Sequence, residues 1–378
     1  MATASGPGAG SALLRKATGW SAKVFALDPA GLNWPRGVAV LDVLLVPLVV
    51  FWSIGYEQYL LSALFAVLFA VLADPGGGYV HRASHIAAFG LAGTAMTALG
   101  FGVGPDAWGW SVLVAFVITL VSGLMIAFGT RRFATALLLN LWLVVALALG
   151  YNLSRHTHVT SYVWAQVVAW AAGTALWIVV ASLWWLIGGR RELPQPIAEL
   201  PGDTARRELT PPLIAFAVIR AVAIAACVAL AFGLDLSHGV WMPIAAMVAM
   251  KPSLEQTSLV ASQRLSGAAI GAVAAALLLL IPTSEHGLRL FAVTRGLEVV
   301  ALVLFVHGVA IRFWNYALYC AAIAAGVLIL VDLAQPSDYA AEGYRVLWTL
   351  CGVGIGTFAL LLAGLLAKRR SQGPSQPA

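Results

Sequence analysis

Tyr59-Leu-Leu-Ser-Ala-Leu-Phe-Ala-Val-Leu-Phe-Ala-Val-Leu-Ala73 runs without a charge and stops at Asp74-Pro75-Gly-Gly-Gly78. In the other half of the chain, Trp241-Met-Pro-Ile-Ala-Ala-Met-Val-Ala-Met250 stops the same way at Lys251-Pro252-Ser-Leu-Glu-Gln256. Both runs are shorter than the ~20 apolar residues that span a bilayer. Proline lacks a backbone donor and disfavours helix at the residue before it, so each run is expected to end at its charge. Paired short or Gly/Pro-interrupted spans at matching places in two halves point to a transporter's binding site.

The rest of the chain explains why a bilayer is the relevant solvent. Of 378 residues, 61% are hydrophobic and 10% charged, with mean hydropathy +0.90. Soluble domains carry roughly 25% charged residues. Cys227, Cys320 and Cys351 lie scattered in apolar runs and read as packing residues, neither a disulfide framework nor a metal set. Residues 1–12 lack the basic and apolar regions of a signal peptide. Residues 13–31 mix Arg15, Lys16 and Lys23 with Trp20, Phe25 and Leu27, which suits an interfacial helix or a disordered basic tail.

Runs and breaks predict an all-α polytopic membrane protein of about twelve spans. They are expected near 37–55, 57–73, 84–104, 108–129, 133–150, 162–188, 212–233, 239–250, 265–282, 290–311, 314–333 and 345–367. The second and eighth are the shortest of these runs. With the N-terminus inside, seventeen of the 22 Lys and Arg residues fall on the cytoplasmic side. Only Arg155, Arg289 and Arg345 fall outside, as the positive-inside rule requires. The net charge of +6 is therefore a topology signal, and no nucleic-acid partner is implied.

The segments divide into an N-terminal cytoplasmic or interfacial segment (1–36), a first six-helix repeat (37–188), a cytoplasmic linker (189–211), a second repeat (212–367) and a cytoplasmic tail (368–378). Gly55 lies thirteen residues after Asp42, and Gly233 thirteen after Arg220. Asp74 follows Gly55 by nineteen residues, and Lys251 follows Gly233 by eighteen. Val121-Ser-Gly123 matches Val306-His-Gly308. Six spans per half make the repeats parallel, related by an axis along the membrane normal.

Trp241 to Ser253, followed by Gln263-Arg264-Leu-Ser-Gly267-Ala-Ala-Ile-Gly271, resembles the fusaric-acid-resistance-like (FUSC) membrane proteins. Leu72-Ala-Asp74-Pro75-Gly-Gly, Arg82, Gly90 and Gly93 resemble the same segment of that family's first repeat, and Arg345 to Gly352 its close. The family includes exporters of aromatic carboxylic acids, with anion-conducting malate channels as distant relatives. The resemblance thus implies export or permeation of organic anions at the inner membrane. Many relatives carry a large cytoplasmic domain after each half. Here the linker is about two dozen residues and the tail short, so those domains are absent from the pattern.

A charge in hydrocarbon needs a partner or a water-filled cavity. Asp42 matches Arg220 and Asp74 matches Lys251, an acid in the first half and a base in the second. Asp42 and Arg220 are expected to meet across the axis, or else to snorkel separately to the cytoplasmic face. Lys251, Gln256, Thr257, Gln263, Arg264 and Arg82 are the expected substrate contacts at the inner mouth, because Arg offers a forked donor to a carboxylate. Asp74, Asp42 and Arg220 are read as gating or charge partners. A positive-inside loop is the plain alternative, and it is preferred for His81 and His85.

Glu298 and His307, nine residues apart and on roughly opposite faces, are the candidates for proton coupling. Arg295 is Glu298's structural alternative partner. Trp164, Trp184 and Trp185 suit interfacial belts, while Trp170 and Trp177 are expected to face lipid more than protein or an aromatic substrate. Gly267-x-x-x-Gly271 and Gly352-x-Gly354-x-Gly356 are expected close-packing faces. Gly76-Gly77-Gly78 lacks the Lys and Ser/Thr of a phosphate loop, and no zinc-protease motif or paired catalytic carboxylates occur. No enzyme, metal or cofactor is expected.

The leading reading is a secondary transporter exporting aromatic carboxylic anions between the repeats. The alternatives are a passive organic-anion channel and, less favoured, a structural or enzymatic membrane protein. The lipid bilayer and a small organic anion are the expected partners. The sequence also leaves room for a homo-oligomer and a periplasmic adaptor subunit.

Overall fold

The computed structural model describes residues 22–32, 34–75, 78–155, 161–187, 208–250, 254–279, 287–332 and 340–371. The described residues contain no strand. Their helices are α1 (Trp34–Ile54), α2 (Leu60–Ala73), α3 (Tyr79–Val103), α4 (Trp108–Leu124), α5 (Thr130–Arg155), α6 (Val163–Ile187), α7 (Pro211–Gly233), α8 (Trp241–Ala249), α9 (Leu254–Leu279), α10 (Gly287–Ile311), α11 (Tyr316–Asp332) and α12 (Ala340–Ser371). Each expected segment holds one helix.

Seven of them, α3 to α7, α9 and α10, are long and apolar enough to cross a membrane. The apolar parts of α1, α2, α11 and α12 are shorter. At nine residues α8 is about 13 Å long, less than half the ~30 Å hydrocarbon thickness. Large apolar side chains such as Leu91, Val121, Val179 and Leu277 are exposed on the outer faces, which suits lipid contact. The described residues are those of an all-helical membrane protein.

Local chemistry sets the breaks. Asp74, placed before Pro75, leaves the helical region at ψ 116°, and α2 ends after 14 residues. In α8, Pro243 occupies the first turn, where its missing N–H costs nothing, and Met250 turns extended at ψ 109°. Water-free surroundings forbid lipid-exposed breaks. Accordingly Met242 through Ala249 are all buried in α8, as are most residues of α2.

The helices pair in a regular way. In residues 34–187, α3 packs on α5 and α6, α2 on α6, α4 on α5, and α1 on α2. In residues 211–371, α9 packs on α11 and α12, α8 on α12, α10 on α11, and α7 on α8. Across the two halves α4 lies along α7, and α10 lies along α1. One apolar cluster joins Leu143, Val144 and Leu147 to Ile224, Val228 and Met247. Another joins Leu44 and Leu48 to Leu302, Phe305 and Val309.

Small residues make these approaches close. Gly123 lies against Ala217 in the α4–α7 contact, and Gly37 against Ala310 in the α1–α10 contact. Gly267 and Gly271 face α11 at Ala317 and Ala321, and Gly352 and Gly356 face α8. Gly354 faces open space, so the last glycine face is narrower than its spacing suggests.

Trp170 and Trp177 are buried within protein, contrary to the lipid-facing expectation. Trp170 stacks on Trp142 at 4.5 Å, over the gap left by Gly93. Trp164 and Trp184 are exposed, as belt residues would be.

Residues 22–31 are not a lone interfacial helix. Val24 is buried, Asp28 N–H donates to the Trp314 carbonyl (2.9 Å), and Asn315 Nδ2 donates to the Ala26 carbonyl (3.0 Å). This segment straps across the α10–α11 turn. The 189–207 part of the expected linker and the tail from 372 lie outside the described residues.

A methyl group at Gly352 would overlap the Met242 carbonyl. Gly352→Val should therefore destabilise the bundle by about 1–3 kcal/mol through overpacking. A thermal midpoint measured in detergent by size exclusion reads this out. Gly296→Ala, with nothing within 4 Å of its added carbon, should leave that midpoint unchanged or raised.

Candidate functional site

The two helix breaks are sealed in different ways. In the first half, Asp74 is buried at the end of α2. Arg82, in the first turn of α3, donates Nε to both of its oxygens (2.7 and 2.9 Å) and Nη2 to Oδ2 (2.5 Å). Trp177 of α6 adds an Nε1–H bond to Oδ2 at 3.1 Å. Arg131, at the start of α5, donates Nη2 to the Pro75 carbonyl at 2.5 Å. An acid, its forked cation and an indole thus lock α2, α3 and α6 together.

Arg82, expected as a substrate contact, is engaged here as the ion-pair partner of Asp74. Asp74 in turn is held by Arg82 and Trp177 of its own half. His81 and His85 are exposed, but they lie in the first turns of α3 and not in a loop; Nδ1 of His85 is 3.0 Å from the His81 carbonyl.

In the second half the break meets a cation, and no acid is placed against it among the described residues. Arg220 of α7 is completely buried. Its Nη2 donates to the carbonyl of Met247 at 3.4 Å, one of the carbonyls that α8 leaves without a helical partner. Its guanidinium lies 5.0 Å from the Phe133 ring centroid. Nε and Nη1 have no hydrogen-bond partner.

The expected Asp42–Arg220 pair is not formed. Asp42 is exposed on α1, which packs along α10, whereas Arg220 points into the α5–α7–α8 interface. An uncompensated buried charge costs several kcal/mol.

Arg264 is half-buried on α9, and its Nε has no hydrogen-bond partner. Its neighbour Gln263 donates to the Val24 carbonyl at 3.4 Å, so that amide anchors the strap. A cavity of about 370 Å³ opens beside it, lined by Lys23, Asp28, Gln263, Arg312, Asn315 and Tyr316 among others. Lys251, and the side chains of Gln256 and Thr257, lie outside the described residues.

Glu298 is buried and accepts two bonds from Arg295 Nη1, at 3.0 and 2.9 Å. Arg295 also reaches Glu57, in the α1–α2 connection, at 2.5 Å, and lies over the Trp52 ring at 4.9 Å. The i,i+3 structural alternative for Glu298 is thus the one present. His307 is exposed, with Nδ1 2.8 Å from the Val303 carbonyl and its ring edge-on to Trp34. Asp235 answers Glu57 at the other junction, accepting a 2.7 Å bond from Tyr151.

Arg131, Phe133 and Glu57 take part in these sites without having been singled out by the sequence, whereas Trp177 was expected to face lipid. Arg131 carried only its share of the charge bias. The others had no signal beyond being apolar or lying in a loop. No group of three or more metal-ligating side chains occurs among the described residues.

Residues 222–359 match the family described as Fusaric acid resistance protein-like. The match covers most of α7 through α12, including Arg264 and Glu298; Arg220 lies two residues before it and the Asp74 cluster outside it. No curated protein and no solved structure matches the chain.

Asp74→Asn leaves Arg82 buried without its counter-charge, which should lower stability by about 3–5 kcal/mol. A double-mutant cycle with Arg82→Gln should return a coupling of about 2 kcal/mol. Additive effects in unfolding experiments would mean the pair does not hold the break.

Proposed function

We propose that this chain, assigned to the fusaric acid resistance protein-like family by residues 222–359, is an inner-membrane secondary transporter that exports organic anions. Aromatic carboxylates are the favoured cargo. The twelve helices are read as twelve spans in two parallel six-helix repeats with cytoplasmic termini, and the pathway runs between the repeats. One observation carries this reading. The helix pairings recur six helices later, and the contacts between halves are reciprocal, α4 on α7 and α10 on α1. In such a repeat the two broken helices, α2 and α8, occupy equivalent places about a common axis, where transporter sites lie.

The charge balance at the breaks supports an anionic cargo. The first break is neutralised by its own acid, and the second presents Arg220 without one among the described residues. Arg264 and Lys251 remain the proposed contacts at the cytoplasmic mouth. Glu298 is assigned to holding α10 against the α1–α2 connection through Arg295 and Glu57, not to proton coupling.

Purified protein in liposomes should move radiolabelled benzoate in a saturable way. Arg264→Gln should lower that flux about tenfold at equal membrane expression, the weight of one charge-assisted contact. Unchanged flux would remove Arg264 from the pathway. Glu298→Gln should lower thermal stability while leaving any dependence of flux on a pH gradient intact; loss of that dependence alone would restore Glu298 as the coupling residue.

A further inference from the structure

Arg220 has no explanation in the packing around it. A membrane bundle buries a guanidinium only against a counter-charge, a hydrogen-bonding network or a ligand. Here the guanidinium lies over the Phe133 ring, itself part of an apolar cluster with Phe216, Ile126, Met250 and Leu360, and no ion pair or hydrogen bond to an acid is made by Arg220 among the described residues. The single hydrogen bond, to the Met247 carbonyl, is long at 3.4 Å. Capping the end of α8 would use one nitrogen; Nε and Nη1 stay without partners in a fully buried side chain.

We infer that Arg220 is the buried docking residue for the carboxylate of an aromatic monoacid. This rests on the transport reading above and names the residue that would hold its cargo. A carboxylate accepts forked N–H donors from Arg and supplies the missing negative charge. The rest of the surroundings selects the other end of the ligand. Phe133 and Phe216 pair at 6.5 Å beside apolar side chains, an environment for a ring and not for a hydrated inorganic anion. Two mandatory charges would leave one unpaired, so dicarboxylates are disfavoured. The fully buried guanidinium belongs to a sealed state, and ligand entry requires the Phe133–Phe216–Met250 cluster to part.

The position also differs from Arg264. Arg264 is half-buried on α9, whereas Arg220 lies against the end of α8 and under Phe133 of the first half. Arg264 would gather anions and Arg220 would hold them.

The test uses the full chain in lipid nanodiscs with labelled benzoate, alongside benzoate flux in liposomes. Wild type should bind saturably. Arg220→Gln should weaken binding at least tenfold, with Arg220→Lys intermediate because it keeps the charge and loses the fork. Wild-type protein soaked with 4-bromobenzoate should show bromine signal beside Phe133, an outcome independent of whether any variant folds. Wild-type flux together with unweakened binding by Arg220→Gln, or bromine found elsewhere only, overturns the Arg220 site and leaves the transport reading standing. Neither flux nor binding of benzoate in wild type overturns both.

Discussion

Everything in this fold follows from one constraint: a backbone break within a bilayer has to be satisfied by protein. Two helices, α2 and α8, end early at proline-containing junctions, and each is wrapped on nearly all sides. The wrapping dictates the rest of the architecture. α6 and α12 close on the broken helices from within each half, while α5 reaches from the first half to both. The glycines and alanines at Gly123–Ala217 and Gly37–Ala310 let the halves approach closely enough to complete the seal. In lipid, where apolar surface gives no net drive for helix association, such close packing and buried polar contacts supply it.

The same problem is solved with opposite electrostatics in the two halves. Asp74, Arg82 and Trp177 form a closed, neutral lock. Arg220 caps the other break with a single long bond and keeps the rest of its charge. The interior is therefore asymmetric, closed by an ion pair at one break and short of an anion at the other.

Much of the fold was legible because proline, glycine and charge punctuate apolar runs; all twelve segments hold helices. Which apolar face meets lipid and which meets protein was not, since both are equally hydrophobic. Trp170 and Trp177 show this: they were expected to face lipid, and burial came from Gly93 opposite one and Asp74 opposite the other. The Asp42–Arg220 expectation failed for a different reason. Repeat-equivalent residues share a role in the symmetry but need not touch. α1 packs on α10 and α7 on α4, so Asp42 and Arg220 belong to two separate interfaces. The fate of Arg82 was likewise hidden, because an arginine eight residues past an acid reads equally as its partner or as a free cation.

The central claim is that the halves interlock reciprocally around the two breaks. It is tested most directly by cross-linking across both junctions after the chain is cut at a protease site inserted in the 189–211 linker. Native cysteines are first replaced. One variant then carries Glu57→Cys with Arg295→Cys, the other Tyr151→Cys with Asp235→Cys, pairs whose side chains touch at 2.5 and 2.7 Å. A short bis-maleimide should join the cut halves in both variants. Joining in one variant only, or in neither, with both proteins normally inserted, would contradict the reciprocal arrangement.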